Sequence, residues 1–91
     1  MVGGGQLARM TAQAAIGLGI DFRVLAERAN DSAAQVTAGT VIGSHQSVSD
    51  VLAFAGGCDV VTFDHEHVPA PVLTELAGVT AVRPDAGALR F

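Results

Sequence analysis

Two short stretches of this chain combine residue types that can do chemistry. The first is Gly3-Gly4-Gly5-Gln6-Leu7-Ala8-Arg9-Met10. Glycines let a backbone approach a ligand closely. A helix that begins just after them aims its unpaired N–H groups and its positive dipole end at an anion. Three outcomes fit such a turn: a sugar-phosphate site, a dinucleotide site, or a tight strand-to-helix turn with no ligand. The dinucleotide reading rests on Gly3, Gly5 and Ala8 in the three small positions of a degenerate fingerprint, with Glu27 about 20 residues on, where a ribose-binding acid sits. In that reading the chain is the NAD(P)-binding domain of an oxidoreductase.

The second stretch is Phe63-Asp64-His65-Glu66-His67-Val68-Pro69. All four central residues are metal-ligand types. In extended backbone, however, alternate side chains point to opposite faces, which separates His65 and His67 from Asp64 and Glu66. Two histidines without a third ligand make a weak centre, so no metal site is expected. Glu66 as an acceptor of substrate hydroxyl bonds is the stronger reading, beside that of a plain polar loop. Arg83, just before Pro84, either reaches a phosphate or is solvated. His45 stands alone in a polar stretch and is expected at the surface. Cys58 is the single cysteine and has no local base to activate it, so it reads as a small buried side chain. No catalytic side chain is assigned.

The elements that position these stretches alternate between helix and strand. A helix is expected over Gln6 to Leu18, with an apolar stripe of Leu7, Met10, Thr11, Ala14, Ala15 and Leu18 and with Gly17 or Gly19 as terminator. Phe22 to Ala26 reads as a strand, with Glu27 at its end. A polar loop with a short helix after Asp31-Ser32 follows, and then a strand over Thr40 to Ile42. Ser47 and Asp50 resemble a capping box opening a helix that buries Val48, Val51, Leu52 and Ala55. Asp59 to Phe63 is a nearly continuous apolar run, as in parallel strands covered on both faces. Pro69 and Pro71 start a helix that buries Val72, Leu73 and Leu76. Thr80 to Val82 is the last strand, and Ala86 to Phe91 begins one more helix.

This order argues an α/β fold, a Rossmann-like parallel sheet with helices on both faces, as one domain over 1–91. The glycine loop and Glu66 then share the carboxyl edge of the sheet, where such folds bind ligands. Only Met1 and Val2 precede the glycines, whereas a loop of this kind follows a strand of about five residues. The first strand is therefore expected to be truncated, and the chain to be a fragment.

Composition narrows the partners. Five arginines are scattered, lysine is absent, and the net charge is −4, so no basic stripe exists to track nucleic acid. No apolar run reaches about 18 residues, and no cationic leader opens the chain, so neither a membrane span nor a signal peptide is expected and the cytoplasm is the default location.

The glycine stretch resembles the opening signature of the 5-(carboxyamino)imidazole ribonucleotide synthases, of the ATP-grasp superfamily. The segment from Cys58 to Pro69 is similar to that family's strand and acidic loop, and Arg83-Pro84 matches a third point of the pattern. The pairing of Gly-Gly-Gly-Gln-Leu with Glu-His-Val-Pro is more specific than either motif alone. The resemblance implies a pre-ATP-grasp domain of a ligase of purine biosynthesis. Such a ligase uses ATP and bicarbonate to carboxylate the amino group of 5-aminoimidazole ribonucleotide. It implies that Gly4, Gly5, Gln6 and Leu7 line the substrate side, that Glu66 hydrogen-bonds the substrate, and that Arg83 is a possible phosphate contact. It also implies that ATP and Mg²⁺ are held by later domains lying outside these 91 residues, that the full-length protein is a homodimer, and that this chain alone is catalytically incomplete.

Overall fold

A computed structural model describes residues 1–63 and 69–83. Its elements are α1 (Gln6–Leu18), β1 (Val24–Ala26), a 3-10 turn (Ala33–Gln35), β2 (Thr40–Ile42), α2 (Val48–Ala55), β3 (Val60–Val61), α3 (Ala70–Ala77) and β4 (Ala81–Val82). β1 pairs parallel with β2, Val24 opposite Thr40, and β3 pairs parallel with β4, Val60 opposite Ala81. Val2 links the two ladders through parallel bridges to Leu25 and to Phe63. The order across the molecule is therefore β2, β1, Val2, β3, β4, with the earliest residue in the centre. The parallel α/β arrangement expected from the sequence is the one observed.

Alternation along β1 divides the core. Val24 and Ala26 pack with Ala8 and Ala33 on the α1 side. Leu25 points the other way, into a larger cluster with Val51, Phe54, Val61, Val72, Leu73 and Leu76. Helices thus cover both faces, α1 on one and α2 with α3 on the other.

The apolar stripe expected on α1 is corrected. Of that stripe only Ala15 is buried, together with Ala8 and Ala12, whereas Leu7, Met10 and Leu18 are 52%, 56% and 74% exposed. The buried face is turned by about 100°, one residue's rotation, from the one that hydrophobicity picks out. Ala8, fully buried, packs in a cluster of small side chains with Val24, Ala26 and Ala33, where a larger residue has less room. Gly19, not Gly17, terminates α1, in the left-handed conformation at φ 69° that glycine adopts without strain.

The strands are shorter than expected. β1 begins at Val24 rather than Phe22, and β3 keeps only Val60 and Val61, with Phe63 beyond it bridged to Val2. Val60 is 53% exposed, so the run is not covered on both faces at its start. Thr80 stays outside β4 because its backbone N–H donates to Leu76 O at 3.1 Å, at the end of α3, while its hydroxyl lies 3.2 Å from the Cys58 and Asp59 carbonyls as donor. Cys58 itself is half-buried, its thiol donating to Phe54 O at 3.5 Å.

Ser47 caps α2, its Oγ accepting the Asp50 N–H at 3.3 Å. The reciprocal arm of a capping box is absent, because Asp50 instead accepts the Ser44 N–H at 3.0 Å and ties down the preceding loop. Ser47→Ala is expected to lower stability by about 1 kcal/mol, the usual worth of such a cap, read as a fall in the urea midpoint at unchanged slope. α3 starts as expected, with Pro69 as N-cap, and buries Val72, Leu73 and Leu76. The helix expected over Ala86 to Phe91 lies outside the described residues.

The Met1 amine donates to Arg23 O at 2.6 Å in a confined setting. Burial, and to a smaller extent Arg23, pushes its pKa down from 8.0 to about 6, although Cys58 opposes the shift. An unfolded chain holds this proton up to pH 8 and the folded chain releases it near 6, so stability of the 91-residue chain should rise from pH 6 to pH 8. The gain is of order 2 kcal/mol at most. Thermal midpoints at the two pH values check this, and acetylating the amine should remove its part of the difference.

Candidate functional site

The glycine stretch forms a turn at the carboxyl edge of the sheet. Val2 N–H donates to Thr62 O and Gly3 N–H to Leu25 O, each at 2.8 Å, which pins the turn between β1 and β3. Gly3 has φ 107°, a conformation open to glycine and strained for other residues. Gly4 is required for closeness: a Cβ there would stand 2.8 Å from Ala26 Cβ and 3.2 Å from Asp31 Cβ. Its carbonyl accepts the Ala33 N–H at 2.9 Å. Gly5 is the N-cap of α1, with no side-chain cap bond and no acidic residue in the first turn. The first-turn amides of Gln6 and Leu7 have no intrahelical partner by helix geometry, and the dipole favours negative charge there.

The loop after β1 braces this turn. Asp31 Oδ2 accepts the backbone N–H groups of Glu27 at 3.1 Å and Arg28 at 3.2 Å. Ser32 Oγ donates to Gln6 Oε1 at 3.1 Å, so the Gln6 side chain is held by its neighbour loop. Arg9 Nη1 donates to Gln35 Oε1 at 3.2 Å and more weakly to Ser32 O at 3.4 Å. Asp31→Ala removes an ionised acceptor from two backbone donors and is expected to cost about 1–3 kcal/mol, with Asp31→Asn milder because one oxygen remains. Denaturant titration of both variants checks the order.

Glu27 and His45 meet at the same edge, Oε1 to Nδ1 at 3.0 Å. His45 was expected alone at the surface. Its side chain is instead only 20% exposed and engaged. The two lie 18 residues apart, and only the parallel pairing of β1 with β2 brings them together.

Of the residues singled out from the sequence, Gly4, Gly5, Gln6 and Leu7 lie together at the turn. Phe63 stands beside Val2, so β3 reaches the edge at the level of that turn. Glu66, with the rest of 64–68, lies outside the described residues, as does Pro84. Arg83 is exposed at the end of β4, its N–H on Val61 O at 2.8 Å and its Nη1 on Val82 O at 2.8 Å. The guanidinium is thus folded onto its own strand rather than onto the glycine turn. Sequence reasoning missed the bracing role of Asp31. The signal was present in the Asp31-Ser32 pair, which was read only as a helix start. Among the described residues no three metal-ligating side chains gather and no helix is long and apolar enough to cross a membrane.

Comparison with known proteins agrees with the geometry. The family described as ribonucleotide synthetase preATP-grasp domain matches residues 1–91. The N5-carboxyaminoimidazole ribonucleotide synthase of Mycobacterium tuberculosis is 60% identical over 76 residues, 84% of this chain and 18% of that protein. Its counterpart from Brucella melitensis is 34% identical over 91 residues, 100% of this chain and 25% of that protein. Among solved structures, N5-carboxyaminoimidazole ribonucleotide synthetase from Thermus thermophilus matches with a TM-score of 0.84 and 38% identity, covering 98% of this chain and 25% of that one. The Aspergillus clavatus synthase in complex with ADP and 5-aminoimidazole ribonucleotide matches with a TM-score of 0.88 and 39% identity over 98% of this chain and 25% of that one. The chain spans about a fifth to a quarter of the length of these relatives. By sequence and by fold, the chain belongs to the ribonucleotide synthetase preATP-grasp domain family.

Proposed function

We propose that this chain is the N-terminal, substrate-binding domain of an N5-carboxyaminoimidazole ribonucleotide synthase. That enzyme is an ATP-dependent carbon–nitrogen ligase of purine biosynthesis. In the proposed reaction ATP activates bicarbonate as carboxyphosphate, and the 5-amino group of 5-aminoimidazole ribonucleotide takes the carboxyl group, releasing ADP and phosphate. The observation that carries the reading is the glycine turn opening α1 at the carboxyl edge, in a chain 39% identical to a synthase solved with ADP and 5-aminoimidazole ribonucleotide.

Each residue has a limited task. The Gly4–Gly5 turn brings the backbone close, and the Gln6 and Leu7 amides meet a phosphate or ribose oxygen of the nucleotide. Glu66 accepts ribose hydroxyl bonds. Arg83, with further N–H donors beyond the one on Val82, serves a phosphate contact after a change of side-chain rotamer. ATP and Mg²⁺ belong to the ATP-grasp domains, and ATP supplies the leaving phosphate. The donor set here does not fit that role: the sequence has no lysine, and the described residues bring no acidic cluster together. The full-length protein is proposed to be a cytoplasmic homodimer.

Two measurements test this. The purified chain should release no phosphate from ATP when 5-aminoimidazole ribonucleotide and bicarbonate are supplied. Calorimetric titration should show the ribonucleotide binding and NADH not binding. Tighter binding of NADH would replace this reading with the oxidoreductase one, against which the engagement of Glu27 by His45 already argues.

A further inference from the structure

Glu27 and His45 have no task in the substrate reading above, yet both are built into the same edge. Glu27 follows Ala26 directly at the end of β1. A Cβ at Gly4 would stand 2.8 Å from Ala26 Cβ, so Glu27 leaves its strand beside the glycine turn. Its N–H is held by Asp31 Oδ2 at 3.1 Å, and the same oxygen would lie 3.3 Å from a Cβ at Gly4. His45 comes from the loop between β2 and α2. That loop is fixed on both sides of it, by Ser44 N–H on Asp50 Oδ2 at 3.0 Å and Gln46 N–H on Ser44 Oγ at 3.1 Å.

The two side chains are unequally placed. His45 is 20% exposed, whereas Glu27 is 57% exposed. The imidazole therefore stands behind the carboxylate and the carboxylate faces solvent. A carboxylate only accepts, so Nδ1 carries the hydrogen and donates to Oε1 at 3.0 Å. Among the described residues Oε1 is the only carboxylate atom of Glu27 in a hydrogen bond. A pair this exposed adds little stability. Its larger effect is to orient the carboxylate, with both its backbone and one oxygen tied, beside a turn that favours a sugar phosphate.

We propose that Glu27 is a specificity-determining residue of this site and His45 its positioning residue: held at Oε1 by His45, Glu27 accepts one ribose hydroxyl of the nucleotide through Oε2. The proposal rests on the substrate reading and names a second carboxylate for it. A ribose offers two hydroxyl donors, enough for Glu66 and for Glu27. With one oxygen already taken, Glu27 receives a single hydroxyl and not the two-oxygen grip on an adenosine diol that the dinucleotide reading needs. Its charge also sets the ligand class: a hydroxyl is welcome at this position, whereas a second phosphate is repelled. Binding thus favours a ribonucleoside monophosphate with both hydroxyls free.

The test is calorimetric titration with 5-aminoimidazole ribonucleotide and with its 2′-deoxy and 3′-deoxy analogues. Each analogue's affinity is read as a ratio to that of the parent nucleotide, so a change in overall stability cancels. In the wild-type chain one analogue should bind about tenfold more weakly for want of the hydroxyl that Glu27 accepts. Glu27→Ala should shrink that one ratio to about twofold or less and leave the other analogue's ratio as it was. His45→Ala should shrink the same ratio in part, and His45→Gln, whose amide N–H can replace the Nδ1 donor, should restore it. A merely structural pair would weaken all three ligands alike. Ratios unchanged by Glu27→Ala would overturn this proposal while the substrate reading stands. Failure of the parent nucleotide to bind the wild-type chain would overturn both.

Discussion

Gly4→Val should leave the chain largely unfolded, and Gly4→Ala should destabilise it by about 1–3 kcal/mol, the range for overpacking a close-packed site. The Cβ would stand 2.8 Å from Ala26 Cβ, closer than such atoms approach. Ala26 cannot retreat, because it is fully buried and both it and Leu25 are paired to β2. The other neighbour, Asp31, would be pushed at both Cβ and Oδ2, and that oxygen holds the amides of Glu27 and Arg28. A clash at one atom therefore loosens both the turn and its brace. Thermal melts should rank wild type above alanine above valine. Removing the opposing methyl in Gly4→Ala with Ala26→Gly should recover part of the loss, a coupling that independent sites would not show. Affinity for 5-aminoimidazole ribonucleotide should fall with the alanine variant even where it remains folded.

Phe54→Ala is expected to cost about 3–5 kcal/mol, most of what a domain of this size has. Phe54 is 1% exposed, the largest fully buried side chain among the described residues, and belongs to the cluster that α2 and α3 build on β1 and β3. The Arg23 guanidinium carbon lies 5.4 Å from its ring centroid, a cation–π contact that disappears with the ring. Leu52→Ala, one helical face away and only partly buried, should cost clearly less. Loss of the cooperative circular-dichroism melt for the first, against a shifted but intact melt for the second, would check the contrast.

These two variants mark where the sequence was and was not legible. α1 was readable to its ends because glycines flank it and no proline interrupts it. The α3 face was readable because Val72, Leu73 and Leu76 are large and meet a deep core. The α1 face was not, because hydrophobicity ranks leucine above alanine while the contact with β1 selects by size. Phe54 was missing from the face expected for α2 because a window of side-chain periodicity does not reveal which strand lies opposite. At the site, the glycine motif located the turn, but the partners of Gly4, Gln6 and Glu27 lie 18 to 27 residues away in the chain.

The sequence by itself determined the alternating α/β order, the helix boundaries, the place of the glycine turn before α1 and, through two motifs together, the family. These are local properties: turn chemistry, caps and the period of apolar residues act over a few residues and need no partner. Tertiary structure alone decided which face of α1 is buried, that Glu27 meets His45, that Asp31 braces the turn, and that Val2 joins the two ladders. Each depends on which strands lie side by side. That choice is made by packing across the whole sheet, where the fit of one methyl group against another outweighs the hydrophobicity of either.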